Sequence, residues 1–114
     1  MRNMSFFHTS RQLQEGLKTV TRRTGWAFLK PGDQFCAVVK ARGVARDQIE
    51  RLGICTVVDV RRERLNQIDA DDVGLEGYPE MSPGEFIAMF CRINSGCGPQ
   101  TIVTRIEFRL EPGS

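Results

Sequence analysis

The chain opens and closes on segments whose apolar side chains alternate with polar ones, and between them lie two stretches with helical spacing. Met4-Ser5-Phe6-Phe7 reads as a short opening strand. From Phe35 to Lys40, the apolar residues Phe35, Ala37 and Val39 fall on one face, as in a half-buried strand, and Pro31-Gly32-Asp33 forms the turn before it. Ile54-Cys55-Thr56-Val57-Val58-Asp59-Val60 is the densest β-branched run and predicts the strongest strand. Ile102, Thr104, Ile106, Phe108 and Leu110 alternate with Arg105, Glu107 and Arg109, which predicts a closing strand with one wet face.

The helical signals are equally local. Thr9-Ser10-Arg11-Gln12 fits a capping box, Leu13 and Leu17 supply an apolar stripe, and Gly16 helps to end the helix. Ser82-Pro83-Gly84-Glu85 places a hydroxyl at the N-cap, proline at the first helical position and a glutamate at the third. Met81 and Phe86 can staple that start, and Phe86, Met89, Phe90 and Ile93 share a face. Strands first and last with short helices inserted predict a small α+β barrel whose termini pair side by side, a single domain over residues 1–114.

Composition narrows the class. A chain of 114 residues is too short for a doubly wound dinucleotide domain with a partner domain, or for a (β/α)₈ barrel. Its 40% hydrophobic and 26% charged content is that of a globule, not a disordered tail. No apolar run approaches the ~20 residues of a membrane span, and the N-terminus lacks the apolar core of a signal peptide. The expectation is a cytoplasmic protein with no membrane partner.

Net charge hides a polarity. Up to Asn66 there are 13 Lys/Arg against 6 Asp/Glu, and from Gln67 onward 3 against 8. Arginine outnumbers lysine 13 to 3, which suits phosphate or another polyanion unless the two halves intermix and neutralise each other. Cys36, Cys55, Cys91 and Cys97 form no C-x-x-C pair, and the single histidine leaves no second imidazole for a Cys₂His₂ zinc site. The thiols read as structural, with Cys91 and Cys97 able to meet across the turn at Asn94-Ser95-Gly96. No metal and no cofactor are expected.

The segment from Gly16 to Trp26 concentrates chemistry: one amine, three hydroxyls, two guanidinium groups and the only tryptophan. As an irregular stretch after a helix, a turn in it would bring Lys18 beside the Thr21 hydroxyl. A lysine desolvated there, or crowded by Arg22 and Arg23, would have a lowered pKa and accept that hydroxyl's proton. The same residues also describe a solvated basic loop.

Phe6-Phe7, Leu17-Lys18-Thr19-Val20-Thr21-Arg22, Lys30-Pro31-Gly32-Asp33, Glu76-Gly77-Tyr78-Pro79 before a proline-started helix, and the closing Val103-Thr104-Arg105-Ile106-Glu107-Phe108 together resemble the ASCH domain. The resemblance covers most of the chain and implies a PUA-like β-barrel of bacterial or phage type, directed at a nucleoside or single-stranded RNA. Some single-domain members are amidohydrolases acting on N4-acetylcytidine through a lysine, a threonine three positions later and a downstream glutamate. On this chain the pattern falls on Lys18, Thr21 and Glu76, with Glu80 a competitor for the carboxylate. The insert from Ala41 to Leu52 is longer than in compact members, which bears on pocket depth.

That resemblance implies metal-independent acyl transfer to Thr21 with Lys18 as base. Arg22, backbone N–H groups or protonated Lys18 would meet the oxyanion. Glu76 would hold Lys18 or protonate the leaving amine, and it is equally placed to end a short helix before Gly77. Thr19, Arg22, Arg23, Trp26 and Tyr78 are the candidate ligand contacts, the two aromatics as base-stacking faces. Trp26 fits the core as well. Arg42 to Arg46 and Arg61-Arg62-Glu63-Arg64 are candidate phosphate contacts or solvated charge, and the lone His8 argues against a two-histidine ribonuclease. A non-catalytic RNA-binding module and a ribonuclease using Lys18, Thr21 and Arg22 are the alternatives.

Overall fold

The structure, a computed structural model, describes residues 1–113. Strands β1 (Asn3–Ser5), β2 (Val20–Arg23), β3 (Gln34–Val38), β4 (Arg51–Arg64) and β5 (Ile102–Leu110) form one five-stranded sheet in the order β1-β3-β4-β5-β2. Helix α1 (Ser10–Gln14) follows β1, while α2 (Ala70–Leu75) and α3 (Pro83–Ile93) lie between β4 and β5. The β1–β3 pair is parallel and every other pair antiparallel. A mixed α+β fold is thus present, but the sheet does not close into the expected barrel.

The expected pairing of the termini also fails. β1 pairs with β3 at one edge, whereas β5 lies inside the sheet between β4 and β2. β1, of three residues, and β2, of four, are the two edges of the sheet and share no ladder across the seam between them. A side chain bridges it instead: Nη2 of Arg23 donates to the Ser5 carbonyl at 2.7 Å.

Register explains the two cores. Ile106 and Phe108 of β5 join Met4, Phe6, Phe35 and Val57 on one face. Val103, on the opposite face, joins Leu65, Val73, Phe86 and Phe90 beneath α2 and α3. The second face of β5 is therefore wet only towards its end, at Glu107 and Arg109, whereas Arg105 on it is buried. β3 departs from expectation in the same way, with Phe35, Cys36, Ala37 and Val38 all buried.

The helix starts divide. Ser82 and Glu85 form the expected capping box, Glu85 N–H donating to Ser82 Oγ at 3.2 Å and Ser82 N–H to Glu85 Oε1 at 2.9 Å. At α1 no side chain caps the first turn. Ser10 Oγ donates back to the Phe6 carbonyl at 2.7 Å, and Gln12 is turned towards Gly77.

One rung of the sheet shapes the rest. Arg22 of β2 stands opposite Arg105 of β5, which stands opposite Arg61 of β4, so three guanidinium groups line up across three strands. Like charges directly opposite are destabilising unless something intervenes. Asp72 of α2 supplies it: Oδ2 accepts from Arg105 Nε at 2.7 Å and also from Arg22. Glu63 accepts from Arg61 at 2.6 Å and from Arg22 at 2.9 Å. The helical layer is thereby tied to the sheet by charge as well as by apolar packing.

Two stability outcomes follow from these contacts. Phe35 is fully buried and touches the rings of Phe6 and Phe108, so Phe35→Ala should lower unfolding free energy by about 3–5 kcal/mol in urea titration. The Asp72 carboxyl is held down at about 2, chiefly by Arg105 with Arg22 adding to it against burial. A depressed carboxylate stabilises the fold above its unfolded pKa and loses that contribution as pH falls through its folded value. The stability advantage of wild type over Asp72→Asn should therefore shrink by about 2 kcal/mol between pH 6 and pH 2. Parallel acid profiles for the two proteins would dismiss the assignment.

Candidate functional site

The residues between Gly16 and Trp26 do not form one continuous loop. Leu17 to Thr19 and Thr24 to Trp26 are irregular, but Val20–Arg23 between them is edge strand β2. Hydroxyl, amine and guanidinium groups in such a run mask its strand character, which comes from pairing with β5 rather than from composition. Alternation then sends Thr21 and Arg23 to one face of β2 and Arg22 to the other. Because β2 is an edge, a cleft running past it meets both faces. That cleft, about 140 Å³, is lined by Lys18, Thr21, Arg22, Arg23, Glu76 and Tyr78, among others.

Glu76 arrives at the end of α2, where Asp69 caps the first turn by accepting from the Asp72 N–H at 2.8 Å. Gly77 follows with φ of 102°, a conformation glycine adopts freely. A Cβ there would stand 3.1 Å from Gln12 Cβ and 3.5 Å from Lys18 Cβ, so the glycine also lets α1 and Lys18 approach. Glu76 therefore both ends a short helix and turns its carboxylate inward. Glu80 is exposed and stays out of the cleft.

Lys18 is buried, and Nζ donates to the Glu76 carbonyl at 2.8 Å and to Glu76 Oε1 at 2.9 Å. Glu76 Oε2 accepts from Arg22 Nη1 at 3.0 Å, so both carboxylate oxygens face cations. Burial is the main influence that pulls the Lys18 pKa below its ordinary value; Arg23 and Arg22 act in the same direction, and Glu76 opposes them. Two protons engaged by Glu76 are what a neutral amine has to offer, which leaves its lone pair uncommitted.

Thr21 is buried, and its Oγ1 accepts from Arg23 Nε at 3.0 Å. With the guanidinium as donor, the hydroxyl proton remains available to a base and an alkoxide would form beside a positive charge. Burial lowers the Arg23 pKa to about 10, which still leaves it charged at neutral pH. No hydrogen bond joins Lys18 Nζ to Thr21 Oγ1. The expected turn between them is absent, and they meet only as two walls of one cleft.

Arg22 spends both Nη atoms on Glu63, Asp72 and Glu76. Despite desolvation, these partners raise its pKa. Its Nε is the one buried side-chain polar atom among the described residues without a partner. Tyr78 is half-buried against Phe86 at 6.1 Å between ring centres. Burial raises the Tyr78 pKa, with Glu76 and Glu80 contributing.

Two other expected contacts lie elsewhere. Thr19 is committed to backbone bonds, its N–H donating to Leu75 and its carbonyl accepting from Phe108, and it does not line the cleft. Trp26 packs partly on the main core, beside Phe28 and Phe35, and borders a neighbouring groove. Sequence reasoning misses His8 and Thr9 on the cleft wall, and Met89, Ile93 and Asn94 of the α3 side. Glu63, Asp72 and Arg105 escape it too. The available signal is Asp69-Ala70-Asp71-Asp72, an acidic helix start in a chain otherwise rich in arginine.

All four cysteines are free, Cys91 and Cys97 with their sulfurs 3.0 Å apart. Among the described residues, no group of His, Cys, Asp and Glu could hold a metal ion, and no helix is long and apolar enough to cross a membrane.

Comparison at the level of sequence finds no match, either to a family model or to a curated protein. Solved structures do match. A protein of Enterococcus faecalis from the family model DUF984 superposes with a TM-score of 0.66 at 14% identity, over 90% of this chain and 69% of that one. An ASCH domain from Lactobacillus crispatus superposes with a TM-score of 0.61 at 14% identity, over 96% of this chain and 78% of that one. The fold is ASCH-like.

Proposed function

We propose that this chain is an amidohydrolase that cleaves an N4-acylated cytosine amide, with Thr21 as nucleophile, Lys18 as base and Glu76 as the group that positions Lys18. One observation carries the reading: a buried amine with a lowered pKa shares a small cleft with a hydroxyl that already accepts from a guanidinium. Amine and hydroxyl answer the two needs of covalent acyl transfer, a proton acceptor and an activated oxygen.

The Thr21 proton passes to Lys18 Nζ, directly once substrate is bound or through one water, while Oγ1 bonds to the acyl carbon. Arg23, whose Nε already donates to Thr21 Oγ1, is the candidate donor for the oxyanion. As the C–N bond breaks, the Lys18 ammonium returns a proton to the leaving cytosine amine. Water then attacks the acyl-threonine with Lys18 again as base, the C–Oγ1 bond breaks to release the carboxylic acid, and Lys18 returns the proton to Thr21 Oγ1. Glu76 has one oxygen engaged by Lys18 and the other by Arg22, which supports the positioning role over that of acid.

Incubation of purified protein with N4-acetylcytidine, following cytidine release, tests the reading directly. Thr21→Ala should nearly abolish turnover, and Lys18→Arg should lower it by about 10²–10⁴, because a guanidinium does not give up its proton at working pH. The double variant should be little worse than either single one. Full activity in Thr21→Ala would remove the nucleophile. No cytidine from the wild type would remove the reading altogether.

The pH profile has a definite sign. The active form needs neutral Lys18, so kcat/KM should rise with pH through a limb below the ordinary lysine range. Glu76 pulls that limb upward. In Glu76→Gln the limb should move to lower pH even as the maximal rate falls. A limb that stays in place would separate Lys18 from the titration.

A further inference from the structure

The four free thiols are unequally placed. In the β3–β4 register Cys55 stands opposite Phe35 and Cys36 opposite Ile54, so alternation sends their sulfurs to opposite faces of the sheet. Cys91 and Cys97 are the pair that meets. Cys91 lies in the last turn of α3 and Cys97 in the loop that leads to β5. They stand six positions apart, with their sulfurs 3.0 Å from each other. A disulfide bond is ~2.05 Å long, so closing one here asks for a movement of about 1 Å. Both cysteines are only partly buried, at the edge of the apolar cluster around Phe86 and Phe90. A small reagent can therefore reach sulfurs that packing already holds together.

The backbone between them explains the approach. Asn94 ends α3, its N–H and its side-chain amide both donating to the Phe90 carbonyl, at 2.9 and 3.0 Å. Gly96 follows with φ of 76°, and the Cys97 N–H returns to the Asn94 carbonyl at 3.2 Å. The chain thus doubles back and brings Cys97 to the helix end it has just left. Hydrogen bonds, more than apolar contacts, hold this segment, since Ile93 is 49% exposed. Such a segment is among the first to open locally. It also carries part of the site. Ile93 and Asn94 line both the cleft and the larger groove beside it, and both lie inside the ring that a Cys91–Cys97 bond would close.

We propose that Cys91 and Cys97 are a reversible disulfide site, oxidised by exchange with a small-molecule disulfide of the glutathione type, that staples the α3 wall of the cleft. The site goes beyond the proposed activity and does not rest on it. One cysteine thiolate attacks a sulfur of the reagent disulfide and expels the first glutathione thiolate. The other then attacks the protein sulfur of the mixed disulfide and expels the second. One S–S bond forms in the protein and one breaks in the reagent. The two thiol protons end on the two released thiols, and two electrons pass from protein to reagent. Excess reduced glutathione runs the exchange backwards. Burial, with Cys97 adding to it, pushes the Cys91 thiol up to about 11. Scarce thiolate slows every exchange, so the pair answers to a sustained shift in thiol–disulfide balance and not to a pulse of peroxide.

Equilibration of the intact chain with reduced and oxidised glutathione, followed by acid quenching, alkylation and tryptic mapping, reads the site. Cleavage at Arg92 separates the two cysteines, so the bond must join peptide 65–92 to peptide 93–105, while Cys36 and Cys55 fall on two other peptides. The linked pair should form in the native chain at a glutathione ratio at least about tenfold more reducing than in the urea-unfolded chain, because the fold holds the sulfurs together. By linkage that tenfold preference adds about 1.4 kcal/mol to the stability of the oxidised fold. Oxidation should therefore raise Tm by about 5 °C or more and slow hydrogen exchange over residues 93–98. Cys97→Ser should show neither the linked peptides nor the rise. The comparison of native with unfolded wild type needs no variant and stands even if Cys97→Ser does not fold. Equal oxidation in urea, two separately glutathionylated cysteines in place of the link, or an oxidised form that melts no higher than the reduced one overturns the proposal. If N4-acetylcytidine is not turned over while the linked peptides form as stated, only the amidohydrolase reading falls.

Discussion

A guanidinium buried in a small protein survives only if its charge is answered, and Arg22 is answered by Glu63, Asp72 and Glu76. Desolvating such an ion costs several kcal/mol, which the three carboxylates must offset before any net stability appears. Their origins matter more than their sum. Glu63 comes from β4, Asp72 from α2 and Glu76 from the end of α2, so a single side chain on edge strand β2 fixes how the helical layer sits on the sheet. Apolar contacts through Val103 and Phe90 are non-directional and would tolerate a shifted helix. The ion cluster would not. Glu76 is held from one side by Arg22, and only because of this does its other oxygen stand ready for Lys18.

Within this cluster one group differs from the rest. The buried set comprises Lys18, Arg22 and Arg105 against Glu63, Asp72 and Glu76, a balanced three to three, and Arg23 adds a further positive charge at its edge. The guanidinium groups of Arg22 and Arg105 are pushed further from losing a proton, Arg22 against the cost of burial and Arg105 mainly by Asp72. Lys18 moves in the opposite direction. Among the cations Lys18 is the amine that burial moves towards its neutral form, and Arg23 then keeps the balance from turning negative.

Local signals in the chain are legible where one residue type decides an outcome. The proline-started helix at Ser82 and the β-branched strand from Ile54 need only neighbours, and both are present. Lys18, Thr21 and Glu76 stand out through their resemblance to a family pattern, and the fold brings them to one cleft. The failures share a cause. Val20–Arg23 reads as a loop, and Arg105 as a solvent-facing strand residue, because charged side chains weigh against burial in any local rule. What buries them is a partner far away in the chain: Asp72 stands 50 residues from Arg22 and 33 from Arg105. The barrel fails for a related reason, since closure depends on whether the two edge strands meet, which no local pattern sets.

Open edges also explain why stability and chemistry are hard to separate here. A closed barrel would satisfy the edge of β2 with backbone hydrogen bonds and leave no seam. In this sheet Arg23 fills that role with its side chain, reaching the Ser5 carbonyl, resting on the Phe6 ring at 4.8 Å and donating to Thr21. One residue thus holds the two edges together, covers an aromatic of the main core and sets the polarity of the candidate nucleophile. Removing Arg23 would disturb all three at once, so a loss of activity there says little about the oxyanion. Conversely, an incompletely paired seam is what leaves space for a ligand between β1 and β2. The cleft exists because the sheet stops short of closing, and the residue that substitutes for closure is the one that polarises the hydroxyl inside it.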